Sequence, residues 1–168
     1  MNQAHLHLLV NHLPIIFPIV GMIVLLDGLL IKSEIVKRTS FYIFMIGSLC
    51  TIIAGATGEG AEEVVEHLAG ISKSLIHEHE EVAEKFAFVS YALGILSLIA
   101  FVVNYKKMAL SKMMSWVVVL AAAATIFLGA NTGLTGGEIR HSEIRQDQNS
   151  IIQDSGNNEG GAAEAHED

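Results

Sequence analysis

The sequence predicts an all-α integral membrane protein that folds as a four-helix up-down bundle, and three observations predict it. Of the 168 residues, 51% are hydrophobic and only 17% are charged, whereas soluble domains average about 25% charged residues. Four apolar runs reach or approach the roughly 20 residues that a helix needs to cross a bilayer core of ~30 Å. Basic residues are concentrated after the first and third runs, which is typical of helices that cross in alternating directions.

The four predicted spans cover about residues 13–31, 41–56, 86–103 and 114–130. None of them alternates polar and apolar residues with a period of two, so helices are favoured over strands. We assign residues 1–146 to one transmembrane domain, which includes a helical extension on the outer face ahead of the third span. The acidic, Gly-rich residues 147–168 are predicted to form a disordered tail, because they hold too few apolar side chains to build a core.

The orientation follows from the basic residues. Two loops on the same predicted side hold six of the ten Lys and Arg residues: Lys32, Lys37, Arg38, Lys106, Lys107 and Lys112. Basic loops stay in the cytoplasm, so both termini are predicted to lie outside, in the periplasm of a bacterial cell whose inner membrane holds the protein. The first twelve residues contain no Lys or Arg, and no small-residue cleavage site follows the first apolar run, so a cleaved signal peptide is not expected.

Composition excludes several classes of function. A formal net charge of −8 is too acidic for a general nucleic-acid binder, because phosphate recognition needs a basic face. The single cysteine, Cys50, excludes disulfide frameworks, CxxC redox pairs and Cys-rich zinc sites. The sequence shows no catalytic triad, phosphate loop or nucleotide-binding fingerprint, so an enzyme acting alone is the least expected function. The lipid bilayer is the one partner that the composition requires.

The eight histidines are the most informative feature of the sequence, because none of them lies in a basic loop or in the middle of a span. They are His5, His7, His12, His67, His77, His79, His141 and His166. All are predicted to lie at the outer side. At 100° per residue, His79 shares a helix face with Val82 and Phe86, whereas His77 shares one with acidic residues such as Glu80. We therefore expect His79 to point into the bundle and His77 to be solvated.

Two imidazoles at equal depth on two helices are typical of a b-type haem site. Pro14 suits the first turn of a helix capped by Asn11, so His12 is expected to be the deepest histidine of the first span. His12 and His79 are the predicted haem ligands, and His7 is the alternative to His12 as the ligand from the first span. This hypothesis describes a membrane-anchored electron-transfer module that exchanges electrons with a redox protein partner on the outer face.

Two alternatives remain open. A divalent metal ion needs three or four converging His or carboxylate ligands, and the outer side offers candidates for a metal-binding, sensing or transport protein: His67, His77, His141, Glu63 and Glu81. The chain is also compatible with a structural subunit, either in a homo-oligomer or in a larger membrane complex. The competing explanation is that most of these histidines and glutamates are ordinary polar residues on a surface in contact with water.

Two short motifs resemble a known family. The stretch from His7 to Ile15, HLLVNHLPI, resembles the HPxxxHFPI opening of the bacterial four-span proteins catalogued as domain of unknown function 2231. The stretch from Gly133 to Glu138, GLTGGE, is similar to that family's GxxGGE exit from the fourth span, and we expect a tight turn there. In some members of the family the four-span domain precedes a Rieske iron–sulfur domain, so the resemblance implies a redox partner on the outer face. Leu134 stands where the family often has a further histidine.

Overall fold

Every regular element that the structure describes is an α-helix. The computed structural model describes residues 3–65 and 73–140. The elements in these ranges are α1 (Gln3–Val10), α2 (Leu13–Leu30), α3 (Glu34–Val65), α4 (Lys73–Tyr105) and α5 (Ser111–Arg140). The all-α prediction is therefore confirmed, while the predicted acidic tail lies outside the described residues.

Four helices are long and apolar enough to cross a membrane, as predicted: His5–Leu30, which joins α1 and α2, Glu34–Val64, Lys73–Tyr105 and Ser111–Ile139. They are longer than the apolar runs that predicted them. The 33 residues of α4 span about 50 Å at 1.5 Å per residue, well beyond a hydrocarbon core of ~30 Å. Because the apolar run of α4 begins at Phe86, its first thirteen residues project past that run as a polar helix.

The paired long helices α2 and α3, and likewise α4 and α5, run in opposite directions, because residues at both ends of each pair are in contact. Between α2 and α3, Gly28 lies beside Lys37 and Gly47 lies beside Phe17. Between α4 and α5, the Asn104 side chain hydrogen-bonds to Ser111 at one end, and the His79 side chain hydrogen-bonds to Thr135 at the other. The helix α5 also packs on α2, so the four long helices form a closed ring.

The ring has two chemically distinct ends. The end that carries Glu34, Asn104 and the two basic loops is called the basic end. The end that carries His7 and His79 is called the histidine end. Because the loops 31–33 and 106–110 converge at the basic end, the two groups of Lys and Arg residues lie on one side of the bundle.

Small and hydroxyl side chains bring the helices together. Ser40, Ser97, Ser115 and Thr125 are fully buried, and the Thr51 and Ser90 hydroxyls share a hydrogen bond of 2.7 Å. Small residues at helix contacts permit the close approach on which helix association in lipid depends. Large apolar side chains instead cover the outside of the bundle, including Leu30, Phe88, Leu120 and Phe127. Such an exterior fits hydrocarbon rather than water.

Glu34 holds three helices together at the basic end. Its carboxylate accepts a hydrogen bond from Lys37 Nζ at 2.6 Å and another from Asn104 Nδ2. Asn104 in turn donates to Ser111 Oγ at 2.9 Å. The Lys37 side chain is only 8% exposed, so its ammonium depends on this one carboxylate.

We expect Glu34→Ala to lower the free energy of unfolding by roughly 1–3 kcal/mol, because it leaves the shielded Lys37 ammonium without this acceptor and the buried Asn104 amide with Ser111 alone. Glu34→Gln keeps an acceptor oxygen, so its loss should be smaller. Chemical denaturation in detergent micelles, followed by circular dichroism, would measure both variants. An alanine variant as stable as the parent chain would contradict this role.

Candidate functional site

Of the five histidines that the structure describes, two lie together and three lie apart from them. His7 on α1 and His79 on α4 are both partly buried at the histidine end. His5 and His12 are exposed, and the His77 side chain is 75% exposed. The outward position of His77 and the inward position of His79 agree with the helical phase. The remaining three, His67, His141 and His166, lie outside the described residues.

His7 is fixed by α3. Its Nδ1 lies 3.1 Å from the Ala54 carbonyl oxygen and 3.2 Å from Thr57 Oγ1. A carbonyl only accepts hydrogen bonds, so the His7 Nδ1 carries the proton and donates it. The Thr57 hydroxyl donates its own hydrogen to backbone carbonyls of α3, so it too acts as an acceptor toward the ring.

His79 is fixed by α5 in the same way. Its Nδ1 lies 2.9 Å from Thr135 Oγ1. The Thr135 hydroxyl donates to the carbonyls of Asn131 and Thr132, and a hydroxyl has one hydrogen to give. The Thr135 oxygen is then the acceptor for a proton on His79 Nδ1, which is one of the two tautomers that the contact allows.

The tautomer with its proton on Nδ1 leaves the Nε2 lone pair of each ring available. Within residues 3–65 and 73–140, the hydrogen bonds to Ala54, Thr57 and Thr135 are made through Nδ1, and the Thr132 backbone carbonyl also hydrogen-bonds to His79. The two imidazoles are close enough to interact electrostatically. Metal-ligating histidines usually donate the other ring N–H to an oxygen that fixes the orientation of the ring, and both rings show this arrangement.

Glycines line the same region. A Cβ placed on Gly136 would lie 3.1 Å from Cε1 of His79, and one placed on Gly58 would lie 3.8 Å from Cε1 of His7. A Cβ on Gly137 would meet nothing within 4 Å. The absence of side chains at these positions leaves the His79 ring room against α5 and leaves open space beside it.

The expected tight turn at Gly133–Gly137 does not form, because α5 continues as a helix through all of these residues to Arg140. Packing overrides the low helix propensity of glycine here, since this stretch of α5 contacts Ile15 of α2 and His79 of α4. The continuous helix is what brings the Thr135 hydroxyl to the His79 ring.

His12 is exposed at the start of α2, whereas the His79 ring is partly buried. A turn at residues 11 and 12 separates α1 from α2, and His12 takes the position before the first residue of α2 without a side-chain capping hydrogen bond. Its ring is exposed. Of the two histidines weighed for the first span, the structure places His7 next to the His79 site.

Of the residues considered for a divalent metal site, the described ones, His77, Glu63 and Glu81, form no metal-binding group. His77 lies 3.6 Å from a carboxylate oxygen of Glu80 and 3.7 Å from one of Glu81, all on the exposed face of α4. Glu63 is exposed on α3. In the part of the chain that the structure describes, no three His, Cys, Asp or Glu side chains are grouped so that they could hold a metal ion. His67 and His141 fall outside that part.

Sequence reasoning missed Thr57 and Thr135, the residues that orient the two rings. Each lies next to glycine-containing sequence near the outer end of its span, at a depth similar to that of its histidine. That combination of a hydroxyl residue, small neighbours and a histidine at the same depth was the available signal.

Comparisons with protein-family models, with curated proteins and with solved structures gave no match to this chain. The resemblance to domain of unknown function 2231 therefore stays a prediction, and the argument about function depends on the geometry of the histidine end.

Proposed function

We propose that this chain is a membrane-anchored electron-transfer module that binds a b-type haem at the histidine end, where His7 and His79 are the residues that would hold it. The observation that carries the proposal is the paired geometry of the two rings. They come from different helices, and their Nδ1 atoms lie within hydrogen-bond distance of oxygens of α3 and α5. On the predicted orientation, the haem would face the periplasm.

The residues present fit such a group by their donor chemistry. Axial haem ligation uses neutral imidazole nitrogens, and oxygens bonded to the opposite nitrogen hold the rings in place. Gly136 lies close to the His79 ring, and the space beside Gly137 is open. This part of α5 has no side chains, so a flat ring could lie against it. Phe86, which packs against Gly129, adds an apolar wall below.

When bound, the haem would supply reversible one-electron chemistry at the iron. The protein's own contribution is to position the rings and to control their surroundings. Thr57 and Thr135 fix the orientation of the two imidazole rings. The apolar run of α4 separates the site from the basic end. The acidic residues Glu80, Glu81 and Glu84 form an exposed face of α4 that a basic redox partner could contact.

The proposal predicts a Soret absorbance band in protein purified in detergent from haem-replete cells. His7→Ala and His79→Ala should each remove most of that band, because a single remaining imidazole holds a b-type haem weakly. The matched control is His77→Ala, which removes an exposed imidazole two residues from His79 and should leave the band unchanged. His12→Ala is a second control, since His12 is exposed as well.

Two results would overturn the proposal. Colourless protein that gains no Soret band on titration with hemin would exclude haem binding. A Soret band that survives the combined His7→Ala and His79→Ala substitutions would exclude these two residues as its ligands. In the first case, calorimetric titration with zinc and copper would show whether the same pair of Nε2 atoms binds a metal ion instead.

A further inference from the structure

A second polar site lies at the basic end, far from the histidines. It is a cleft of about 290 Å³ where α3 meets the connection between α4 and α5. Its lining consists of Glu34, Arg38, Asn104, Lys107, Met108 and Ser111. The Glu34 carboxylate is bonded to Lys37 and Asn104 and also attracts Arg38, whose Nε–H donates to the Glu34 backbone carbonyl at 3.1 Å; with Lys107 and Arg38 against this one acid, the lining keeps a net positive charge.

The two cations are Arg38 and Lys107. Among residues 3–65 and 73–140, no carboxylate lies within ion-pair distance of either side chain. Lys107 has a φ of 52°, and its backbone N–H donates to the Asn104 carbonyl at 3.0 Å. Lys107 therefore adopts the left-handed conformation just after the end of α4, and this fixes the start of its side chain beside the cleft.

An aromatic groove adjoins the cleft and shares Arg38 with it. This groove of about 240 Å³ is lined also by Ile35, Thr39, Tyr42, Phe101 and Tyr105. The Tyr42 and Phe101 rings lie 4.7 Å apart between centroids, and the Arg38 guanidinium carbon lies 5.9 Å from the centroid of Tyr105. Tyr42 is 52% exposed and Tyr105 66% exposed, so the groove opens on the outside of the bundle, toward lipid.

We propose that the cleft and groove together bind one anionic phospholipid, with its phosphate between Arg38 and Lys107 and an acyl chain along Tyr42 and Phe101. The charge of the cleft suits a phosphate, to which an arginine fork can donate two parallel hydrogen bonds. The apolar groove that leads away from the same arginine suits a chain attached to that phosphate. Tyrosines are also the side chains that favour the boundary between headgroups and hydrocarbon.

Native mass spectrometry of the purified chain with phosphatidylglycerol and with phosphatidylcholine tests this. We expect phosphatidylglycerol to be retained preferentially, and Arg38→Gln with Lys107→Gln to weaken that retention about tenfold or more, since each basic residue near anionic lipid contributes about 1 kcal/mol. The matched control is Lys32→Gln with Lys112→Gln, which removes the same charge from exposed positions of the same end outside the cleft. The control should lower retention less than threefold.

Equal losses in the two double variants would overturn the proposal, because they would mean that general basic charge attracts the lipid. Displacement of the lipid by millimolar inorganic phosphate would also overturn it, in favour of a site for a free anion. Phe101→Ala separates these cases, since it should weaken lipid retention only if a chain lies in the groove. Lys107→Gln alone serves if the double variant does not fold, because Lys107 is exposed at a helix end, and retention equal to that of the parent chain would count against the site.

Discussion

Gly28→Ala is expected to destabilise the protein by roughly 1–3 kcal/mol, although alanine is the better helix former by about 1 kcal/mol. A Cβ at Gly28 would lie 2.9 Å from the backbone nitrogen of Lys37 and 3.0 Å from its Cγ. The contact is with backbone, so no rotation of a side chain relieves it. The nitrogen involved also donates to the Ser33 carbonyl at 3.1 Å, and α2 and α3 would have to separate at the turn that joins them.

Gly55→Ala is the matched control, since it makes the same change within α3. There the nearest foreign atom to the added Cβ would be the Tyr91 hydroxyl at 4.0 Å, an ordinary contact. The gain in helix propensity should then decide the sign, and the variant should be as stable as the parent or more stable. Thermal unfolding in detergent, followed by circular dichroism, compares the two. Equal effects of the two substitutions would show that the close contact at Gly28 does not limit stability.

The sequence was sufficient to predict the four membrane-length helices, because apolar runs in lipid have few alternatives to helix. It underestimated their lengths. Hydropathy detects only the part of a helix that needs lipid, whereas polar segments such as the start of α4 continue the same backbone hydrogen bonding past the apolar run. Helical phase was enough to separate His79 from His77, since both lie on one uninterrupted helix.

Phase did not separate His7 from His12, because the two residues do not belong to one helix. The turn at residues 11 and 12 interrupts the helix between them, and which ring faces α3 depends on how α1 packs. The ring partners Thr57 and Thr135 come from α3 and α5, so only the relative placement of three helices reveals them. Pairwise tertiary geometry of this kind leaves no period in a single sequence.

A second prediction with a large expected effect concerns the glycines of α5 at the histidine end. Gly136→Val should abolish or strongly reduce the proposed haem binding, because a Cβ at Gly136 would already lie 3.1 Å from Cε1 and 3.5 Å from Nδ1 of His79. The two methyl groups of valine extend further toward the ring. We expect the ring to be displaced from Thr135, and loss of an orienting partner of this kind typically lowers metal affinity 10- to 100-fold. Hemin titration monitored at the Soret band measures the change.

Gly137→Val is the adjacent comparison, because a Cβ there would meet nothing within 4 Å, so it leaves the His79 ring in place and tests whether the haem itself occupies that space. It carries the same side chain and the same cost in helix propensity, one residue further along α5. If both variants bind hemin equally well, the His79 ring is not confined by α5 as described. If both lose binding to the same extent while remaining helical, the space beside Gly137 must itself be filled by the ligand, because the added valine has no protein atom to disturb there. The difference between these neighbours thus separates displacement of the ring from obstruction of the haem.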